Sequence, residues 1–233
     1  MLFSVTAISG SVQRPSRTSA LVRTLLATVD RHLAPDGHVN LPMLGLTAIA
    51  ARSPGGGRAP THDTATNREH QLTFIKMADA APLIFSGLIR AQTSAAGEAV
   101  VRSVETANAL IVATPVYRAS YTGALKHQFD LVDHEELVGK PVILAATGGS
   151  HLHGLITEHQ LRPLLSFFSP LTVPTAIYTS EADFDGHSLT STAVIDRING
   201  AVDELARLIA GPLAYAQQPA AASNSHFDFP TDG

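Results

Sequence analysis

The sequence contains no cysteine, little charge and no long apolar run. The lack of cysteine excludes disulfides, thiolate catalysis, iron–sulfur clusters and cysteine-based zinc sites. Charged residues make up 15% of the chain, and the net charge of −4 leaves no basic excess to hold a nucleic-acid backbone. Apolar runs stay well below the ~20 residues that span a bilayer, and the N-terminus lacks a basic leader. We therefore expect a soluble, cytoplasmic protein with neither a nucleic acid nor a membrane as partner.

Composition also predicts how the chain is organised. Hydrophobic residues make up 45% of the 233 residues, enough for a sizeable core. We predict a single domain over residues 1–210. Residues 50–67 are dense in Gly, Pro, Thr and Asp, and we expect them to form a loop inserted between elements of that domain. Residues 211–233, rich in Ala, Gln, Pro and Ser, are expected to form a flexible tail.

Hydrophobic periodicity predicts an alternation of strands and helices. Short β-branched runs, typical of strands buried on both faces of a parallel sheet, occur at Leu2–Ile8, Ala109–Ala113, Pro141–Ala146 and Val173–Tyr178. The clearest helical stripes span residues 21–29 and 194–209. In the less regular stretch between them we predict a strand near Val39–Leu41 and a helix over Glu69–Ala80. The alternation predicts a doubly wound α/β sheet.

A polar loop and a helix start follow the first predicted strand. The helix should begin near Ser16 or Arg17, and helix N-termini present unpaired N–H donors and a positive dipole that suit a phosphate. Ser11 and Thr18 would add hydroxyl donors, and Arg17 a charge-assisted one. Ordinary N-capping by Ser16 would explain the pattern without a ligand. A Walker lysine and the dinucleotide glycine pattern are both missing, so the loop points to a single phosphate, as on a mononucleotide.

Two further loops follow the next two predicted strands. One contains Pro115, which fixes backbone shape, and Tyr117, which offers a flat face to an aromatic ring. The other contains Gly148 and Gly149, which let a ligand approach the backbone closely. A plain turn in the first case and a tight strand-to-helix turn in the second remain open alternatives. Because ligands of open α/β sheets bind outside the carboxyl ends of the strands, we predict that the three loops share one site.

The segments GSVQRPSRTSAL, ATPVYRASYTGALKHQFDLVD and GKPVILAATGGS, and the run that starts at His153, carry a family resemblance. They are similar to the NAD(P)H-dependent FMN reductases of two-component sulfonate monooxygenase systems, in the branch that serves luciferase-like monooxygenases. The resemblance implies a flavodoxin-like fold, a five-stranded parallel sheet of order 2-1-3-4-5, with FMN at the switch point and NAD(P)H as the reductant.

The resemblance also implies roles for individual residues. The FMN phosphate would be held by Ser11, Ser16, Arg17 and Thr18. The isoalloxazine and ribityl side would be lined by Pro115, Val116, Tyr117 and Arg118. The polar edge of the flavin would meet Thr147, Gly148, Gly149 and Ser150. In this family the helix after the third loop can carry one inserted residue that widens a turn, and His159 aligns with it; we predict that His159 lies near a subunit interface and governs FMN release. An exposed helical histidine without a role is the alternative.

The expected reaction is hydride transfer from NAD(P)H to FMN, with reduced FMN passing to a partner flavin-dependent monooxygenase. This chemistry belongs to the cofactor, so we assign no catalytic acid or base. A homodimer or homotetramer is expected to cover the flavin, with apolar surface from Leu164, Leu165, Phe167 and Phe168, although a deeply buried helix would show the same pattern.

Alternative functions fit the same pattern less well. A quinone or azo-compound reductase would keep FMN tightly bound, and a flavodoxin-like electron carrier would oxidise no nicotinamide. A serine hydrolase is disfavoured because no G-x-S-x-G elbow is present. We predict no metal site, because the histidines near His151 lack metal-ligand spacing. The sequence leaves the choice between NADH and NADPH open, with Arg14, Arg52 and Arg118 as candidate partners for a 2′-phosphate.

Overall fold

The main sheet is parallel and follows the order predicted for it. A computed structural model of the chain describes residues 3–33 and 70–216. The strands are β1 (Phe3–Ser9), β2 (His70–Lys76), β3 (Ala109–Pro115), β4 (Pro141–Thr147), β5 (Leu171–Thr172), β6 (Ile177–Thr179), β7 (Phe184–Asp185) and β8 (Ser188–Leu189). The sheet order is β2-β1-β3-β4-β5, with β6 also paired to β4 and every pair parallel. The predicted flavodoxin-like fold is confirmed.

Helices cover both faces of this sheet. They are α1 (Arg17–Leu33), α2 (Met77–Ile84), α3 (Ala95–Glu105), α4 (Gly123–Leu131), a π-helical turn (Thr157–Leu161), α5 (Arg162–Ser166) and α6 (Thr192–Ala216). Short 3₁₀ turns lie at Arg90–Gln92, His134–Leu137, His151–His153 and Glu181–Asp183. The buried stripe of α1 packs with α6 on one face, and α2 to α5 pack on the other. Among the residues with described placement, no helix is long and apolar enough to cross a membrane.

The central strands are buried on both faces, as their uniform apolar runs predict. Every residue of β3 is buried, and alternate residues serve the two cores: Leu110 and Val112 face α2 to α5, whereas Ile111 faces α1 and α6. The chain leaves β1 toward α1 and leaves β3 toward α4, on opposite faces of the sheet. A crevice therefore opens between the carboxyl ends of these two neighbouring strands, which is where this class of sheet binds its ligands.

The predicted helix over Glu69–Ala80 is wrong in its first half. His70–Lys76 is the edge strand β2, paired with β1 from Phe3↔His70 to Ser9↔Lys76, and the helix begins only at Met77. The sequence of this strand has a period of two: Leu72 and Phe74 pack toward α1 and α6, and Ile75 packs into the opposite core. The helical pattern of the residues that follow masked this alternation.

The predicted strand Val173–Tyr178 is wrong in its first part: β5 ends at Thr172, before the predicted start, and β6 begins only at Ile177. Pro174 follows Val173, whose N–H still donates to the Val142 carbonyl at 2.9 Å, and proline has no N–H with which to continue the ladder. Thr175 leaves the sheet altogether, since both its N–H and its hydroxyl donate to the Glu204 carboxylate, at 2.9 and 2.7 Å. Pairing with β4 resumes at Ile177. The fifth position of the sheet is therefore occupied by β5 and β6 in turn.

The remaining predictions about the fold meet the structure in different ways. The last helix extends to Ala216, so the predicted tail at residues 211–233 begins too early. The predicted strand near Val39–Leu41, the insertion at 50–67 and the rest of the tail lie outside the described residues, and the single domain over 1–210 stays a prediction. Of the four residues predicted to form an interface, Leu165 and Phe168 belong to the protein's own core, while Leu164 is half-buried and Phe167 is 74% exposed.

Candidate functional site

A cleft of about 270 Å³ opens at the carboxyl ends of β1, β3 and β4. The loops that line it are the first loop (residues 10–16), the second loop (116–122) and the third loop (148–150). The cleft brings together ten of the twelve residues predicted to bind the cofactor: Ser11, Ser16, Arg17, Thr18, Pro115, Val116, Tyr117, Thr147, Gly148 and Gly149. Three separate stretches of sequence thus form one site, as the strand order requires.

Threonine hydroxyls hold the three loops in register. The hydroxyls of Thr18 and Thr147, both buried, lie 2.6 Å apart and join the start of α1 to the end of β4. The Thr122 hydroxyl donates to the Gly10 carbonyl at 2.7 Å and accepts from the Leu125 N–H at 3.2 Å, so it caps α4 and fixes the first loop at once. These bonds are shielded from water, so the loops are preorganised.

The start of α1 presents hydrogen-bond donors to the cleft. Ser16 is the N-cap: its hydroxyl accepts from the Ser19 N–H at 3.2 Å, and its carbonyl accepts from the Ala20 N–H at 3.1 Å. Within residues 3–33 and 70–216, nothing accepts from the N–H groups of Arg17 and Thr18. The capping alternative is therefore correct for Ser16, yet two orphan donors and the positive helix end stay available to an anion.

The second loop contains a backbone turn with two consecutive non-glycine residues at positive φ. Tyr117 and Ser120 exchange backbone hydrogen bonds of 2.9 and 3.1 Å, while Arg118 and Ala119 between them have φ of 51° and 62°. Two consecutive positive φ angles define a turn that usually takes Asn or Gly. Backbone strain of this kind persists at functional sites because neighbouring structure enforces it. The turn leaves Tyr117 half-buried against the cleft and Arg118 exposed at the tip.

The third loop depends on glycine at one of its two glycine positions. A Cβ on Gly148 would lie 2.1 Å from the Tyr178 hydroxyl oxygen, whereas a Cβ on Gly149 would meet nothing within 4 Å. The Tyr178 hydroxyl donates to the Ser150 carbonyl and so fixes the loop from below. Burial, with the nearby Asp183 carboxylate, raises the pKa of Tyr178, which keeps this donor protonated.

Two predicted residues do not line the cleft, and six unpredicted ones do. Arg118 lies at the exposed tip of its turn, and Ser150 lines an adjoining cleft with His151 and Leu152. The additional lining residues are Gln13, Pro15, Ser180, Glu181, Phe184 and His187. Gln13 and Pro15 belong to the first loop. The other four follow β6 at the same edge of the sheet, and the Asp-Gly pair at 185–186 was a hairpin signal.

The predicted widened turn is present, and His159 lies within it. The turn Thr157–Leu161 is π-helical, and the Arg162 N–H closes it by donating to the Thr157 carbonyl. Its neighbour Gln160 accepts a hydrogen bond of 3.2 Å from the Ser120 hydroxyl, which ties the turn to the second loop. His159 itself is exposed. Widening of a helix is confirmed at this position, and its role in FMN release stays a prediction.

Comparisons with known proteins agree with this geometry. Residues 59–185 match the family described as NADPH-dependent FMN reductase. An FMN reductase (NADPH) from Pseudomonas aeruginosa is 38% identical over 209 residues, which are 90% of this chain and 94% of that protein. The NADH-dependent FMN reductase SfnF of Pseudomonas fluorescens is 39% identical, over 88% of this chain and 90% of that protein. A solved oxidoreductase from Corynebacterium diphtheriae aligns with a TM-score of 0.66 and 28% identity, covering 90% and 98% of the two chains.

Fold and cleft together define a flavodoxin-like α/β protein that offers helix-start donors, an arginine and an aromatic face to one ligand. Within that class, the chain belongs to the NADPH-dependent FMN reductase family, and the resemblance found in the sequence is confirmed. It is an oxidoreductase whose cofactors are FMN and NAD(P)H.

Proposed function

We propose that the protein reduces FMN with NAD(P)H in this cleft and releases the product to a flavin-dependent monooxygenase. The observation that carries the proposal is the convergence of three loops on one cleft with orphan N–H donors at Arg17 and Thr18. Because the reaction consumes NAD(P)H, we place it in the cytoplasm, where nicotinamide coenzymes are recycled.

The residues of the cleft fit FMN by their chemistry. The N–H groups of Arg17 and Thr18, with the Arg17 guanidinium, suit a dianionic phosphate. Ser16 uses its hydroxyl oxygen as acceptor for the cap, so its proton is free to donate. Of the paired hydroxyls of Thr18 and Thr147, one keeps its proton for a further acceptor. Tyr117 and Gly149 border the remainder of the cleft, where a flat ring has an aromatic face and an open backbone.

When bound, FMN would supply the hydride acceptor and NAD(P)H the hydride, a chemistry that needs no acid or base from the protein. The chain's own task is to bind and orient. The Thr18–Thr147 and Thr122–Gly10 bonds keep the three loops in one arrangement, so little reorganisation is required when a ligand binds.

Release of the flavin is proposed to depend on His159 and its π-helical turn. The turn adjoins the second loop through the Ser120–Gln160 bond, so a change in its width is transmitted to the residues next to Tyr117. A π-helical turn lacks the regular hydrogen bonds of a helix, and such turns persist where packing or function maintains them. His159 would thereby keep the flavin site loose enough to give up its product.

We propose that the protein forms a homodimer or homotetramer in which a second copy covers the flavin. Phe167 is 74% exposed beside the half-buried Leu164, and both line a surface cavity of about 810 Å³ that also contains Phe129 and Phe168. An exposed aromatic in such a cavity favours contact with a second copy. Light scattering should give a dimer or tetramer for the wild type and for Phe167→Leu, and a smaller species for Phe167→Asp. A monomeric wild type at micromolar concentration would contradict this part.

Anaerobic oxidation of NADH and of NADPH, followed at 340 nm with and without added FMN, tests the reaction itself. The proposal requires oxidation that depends on added FMN and a protein that loses its flavin on dialysis. FMN that survives dialysis, with ping-pong kinetics toward quinones or azo compounds, would favour the tightly bound reductase instead. A stable semiquinone without nicotinamide oxidation would indicate an electron carrier.

A further inference from the structure

Arg17 is engaged from across the cleft by residues that follow β6. Its Nη1 forms an ion pair with the Glu181 carboxylate, and its Nε donates to the Gly186 carbonyl at 3.3 Å. Glu181 belongs to the 3₁₀ turn after β6, and Gly186 to the hairpin of β7 and β8. The cation that suits a phosphate is therefore already partnered by a carboxylate from the opposite side of the cleft.

The Glu181 carboxylate shares the cleft with the donors at the start of α1. Its backbone is fixed, because the neighbouring Ser180 and Asp183 form a capping box: the Ser180 N–H and hydroxyl both donate to Asp183, at 2.7 and 3.1 Å. The Glu181 side chain itself is 63% exposed. An exposed ion pair contributes little stability, so it is readily exchanged for a stronger partner.

We propose that Glu181 competes with the phosphate of FMN for Arg17 and thereby lowers the affinity for FMN. The inference rests on the proposed function, because it takes the FMN phosphate to bind at Arg17 and Thr18. With ligand bound, Arg17 turns from the carboxylate to the phosphate, and the displaced carboxylate lies close to a second anion. When reduced FMN leaves, Glu181 takes Arg17 back. Glu181 is thus a residue that tunes affinity and makes FMN a dissociable substrate.

Flavin binding to the purified protein tests this inference without any turnover. Dissociation constants for FMN and for riboflavin, which lacks the phosphate, are measured by flavin fluorescence for the wild type, Glu181→Gln and Glu136→Gln. Glu136 is an exposed acid outside both the cleft and the cavity near Phe167, so Glu136→Gln makes the same change in charge. For Glu181→Gln the Kd for FMN should fall about fivefold, the factor that corresponds to the upper range of an exposed ion pair. The Kd for riboflavin should not change, and Glu136→Gln should change neither.

Two outcomes would overturn the inference and leave the proposed function intact. One is an unchanged Kd for FMN in Glu181→Gln when the wild type clearly prefers FMN to riboflavin. The other is an equal gain for FMN and riboflavin, because Glu181 would then act on the hairpin rather than on the phosphate. If the wild type binds riboflavin as tightly as FMN, the phosphate does not bind at Arg17, and the proposed site fails with the inference. Thermal melting of each variant confirms that it is folded.

Discussion

Gly148→Ala should be far more damaging than Gly149→Ala, although the two glycines are adjacent. At Gly148 the added methyl group would lie 2.1 Å from the Tyr178 hydroxyl oxygen, 3.0 Å from Cζ and 3.3 Å from Cε2. The tyrosine cannot turn aside freely, because its hydroxyl donates to the Ser150 carbonyl. At Gly149 the same methyl group would meet nothing within 4 Å. The pair of variants therefore isolates one steric contact beneath the third loop.

The loss of stability in Gly148→Ala follows from the two contacts that the added methyl group disturbs. Overpacking a filled site costs about 1–3 kcal/mol, and losing the hydrogen bond from Tyr178 to Ser150 costs about 1 kcal/mol more. Gly148→Ala should therefore lower the free energy of unfolding by about 2–4 kcal/mol and weaken FMN binding, because the third loop borders the cleft. Gly149→Ala should lie within about 0.5 kcal/mol of the wild type.

A double-mutant cycle with Tyr178→Phe tests the cause. Removal of the hydroxyl takes away the atom at 2.1 Å and leaves Cζ at 3.0 Å as the nearest neighbour, a contact that a small shift of the ring relieves. The combination Gly148→Ala with Tyr178→Phe should be more stable than the sum of the single changes by about 1 kcal/mol. Urea denaturation provides the free energies, and flavin fluorescence the Kd for FMN. Equal stability of Gly148→Ala and Gly149→Ala, or strict additivity in the cycle, would refute the reasoning.

Three further changes have expected outcomes. Deletion of His159 should restore a regular helix, lower the Kd for FMN and slow turnover with free FMN; an unchanged Kd and rate would contradict the proposed role of the turn. Arg118→Ala should raise the KM for NADPH about tenfold and leave that for NADH unchanged, because the exposed Arg118 suits a 2′-phosphate; equal effects on both would refute it. Arg90 donates to Glu98 and lowers the pKa of this carboxyl below 4.5. The ionised Glu98 should therefore add up to about 1 kcal/mol to the free energy of unfolding above pH 4.5, and this contribution is lost as the pH falls through the lowered pKa. The free energies of unfolding of Glu98→Gln and wild type should therefore differ at pH 7 and converge as the pH falls from 4.5 through the lowered pKa of Glu98.

The central strands were predictable because a short apolar run bounded by loop residues is typical of a strand buried on both faces. The runs at β3 and β4 are nearly continuous and apolar, β1 has Ser4 and Thr6 among its apolar residues, and each strand is followed by a polar or glycine-rich loop. Parallel strands bring those loops to one edge, so the meeting of the three loops at one cleft followed from the strand assignment, whereas the four lining residues after β6 did not. The start of α1 was also predictable, because Ser16 is a favoured capping residue one turn before the apolar stripe that begins at Leu21.

Elements at the edges of the sheet were harder to predict because local pattern competes with long-range pairing there. In β2, half-buried residues blur the alternation, and the helix formers after Lys76 extend a helical pattern backward into the strand. At Val173 the apolar run continues past Pro174, yet the ladder does not, since Thr175 is diverted to a carboxylate on α6. Because this carboxylate, from Glu204, is remote in sequence, the local pattern around Thr175 does not predict the contact.

The residues of the cleft also differ in whether they bind a ligand, hold a loop in place, or do both. The sequence offers Thr18 as a phosphate ligand, but in the structure its hydroxyl also joins α1 to Thr147, and no pattern distinguishes a hydroxyl that binds from one that holds a loop. A change at Thr18 therefore disturbs loop geometry and ligand contact together. Arg17 differs, because its partner Glu181 lies on the far side of the cleft and can be altered without touching the loops. That separability makes the carboxylate, rather than the hydroxyls, the place where affinity for the flavin can be adjusted independently of the fold.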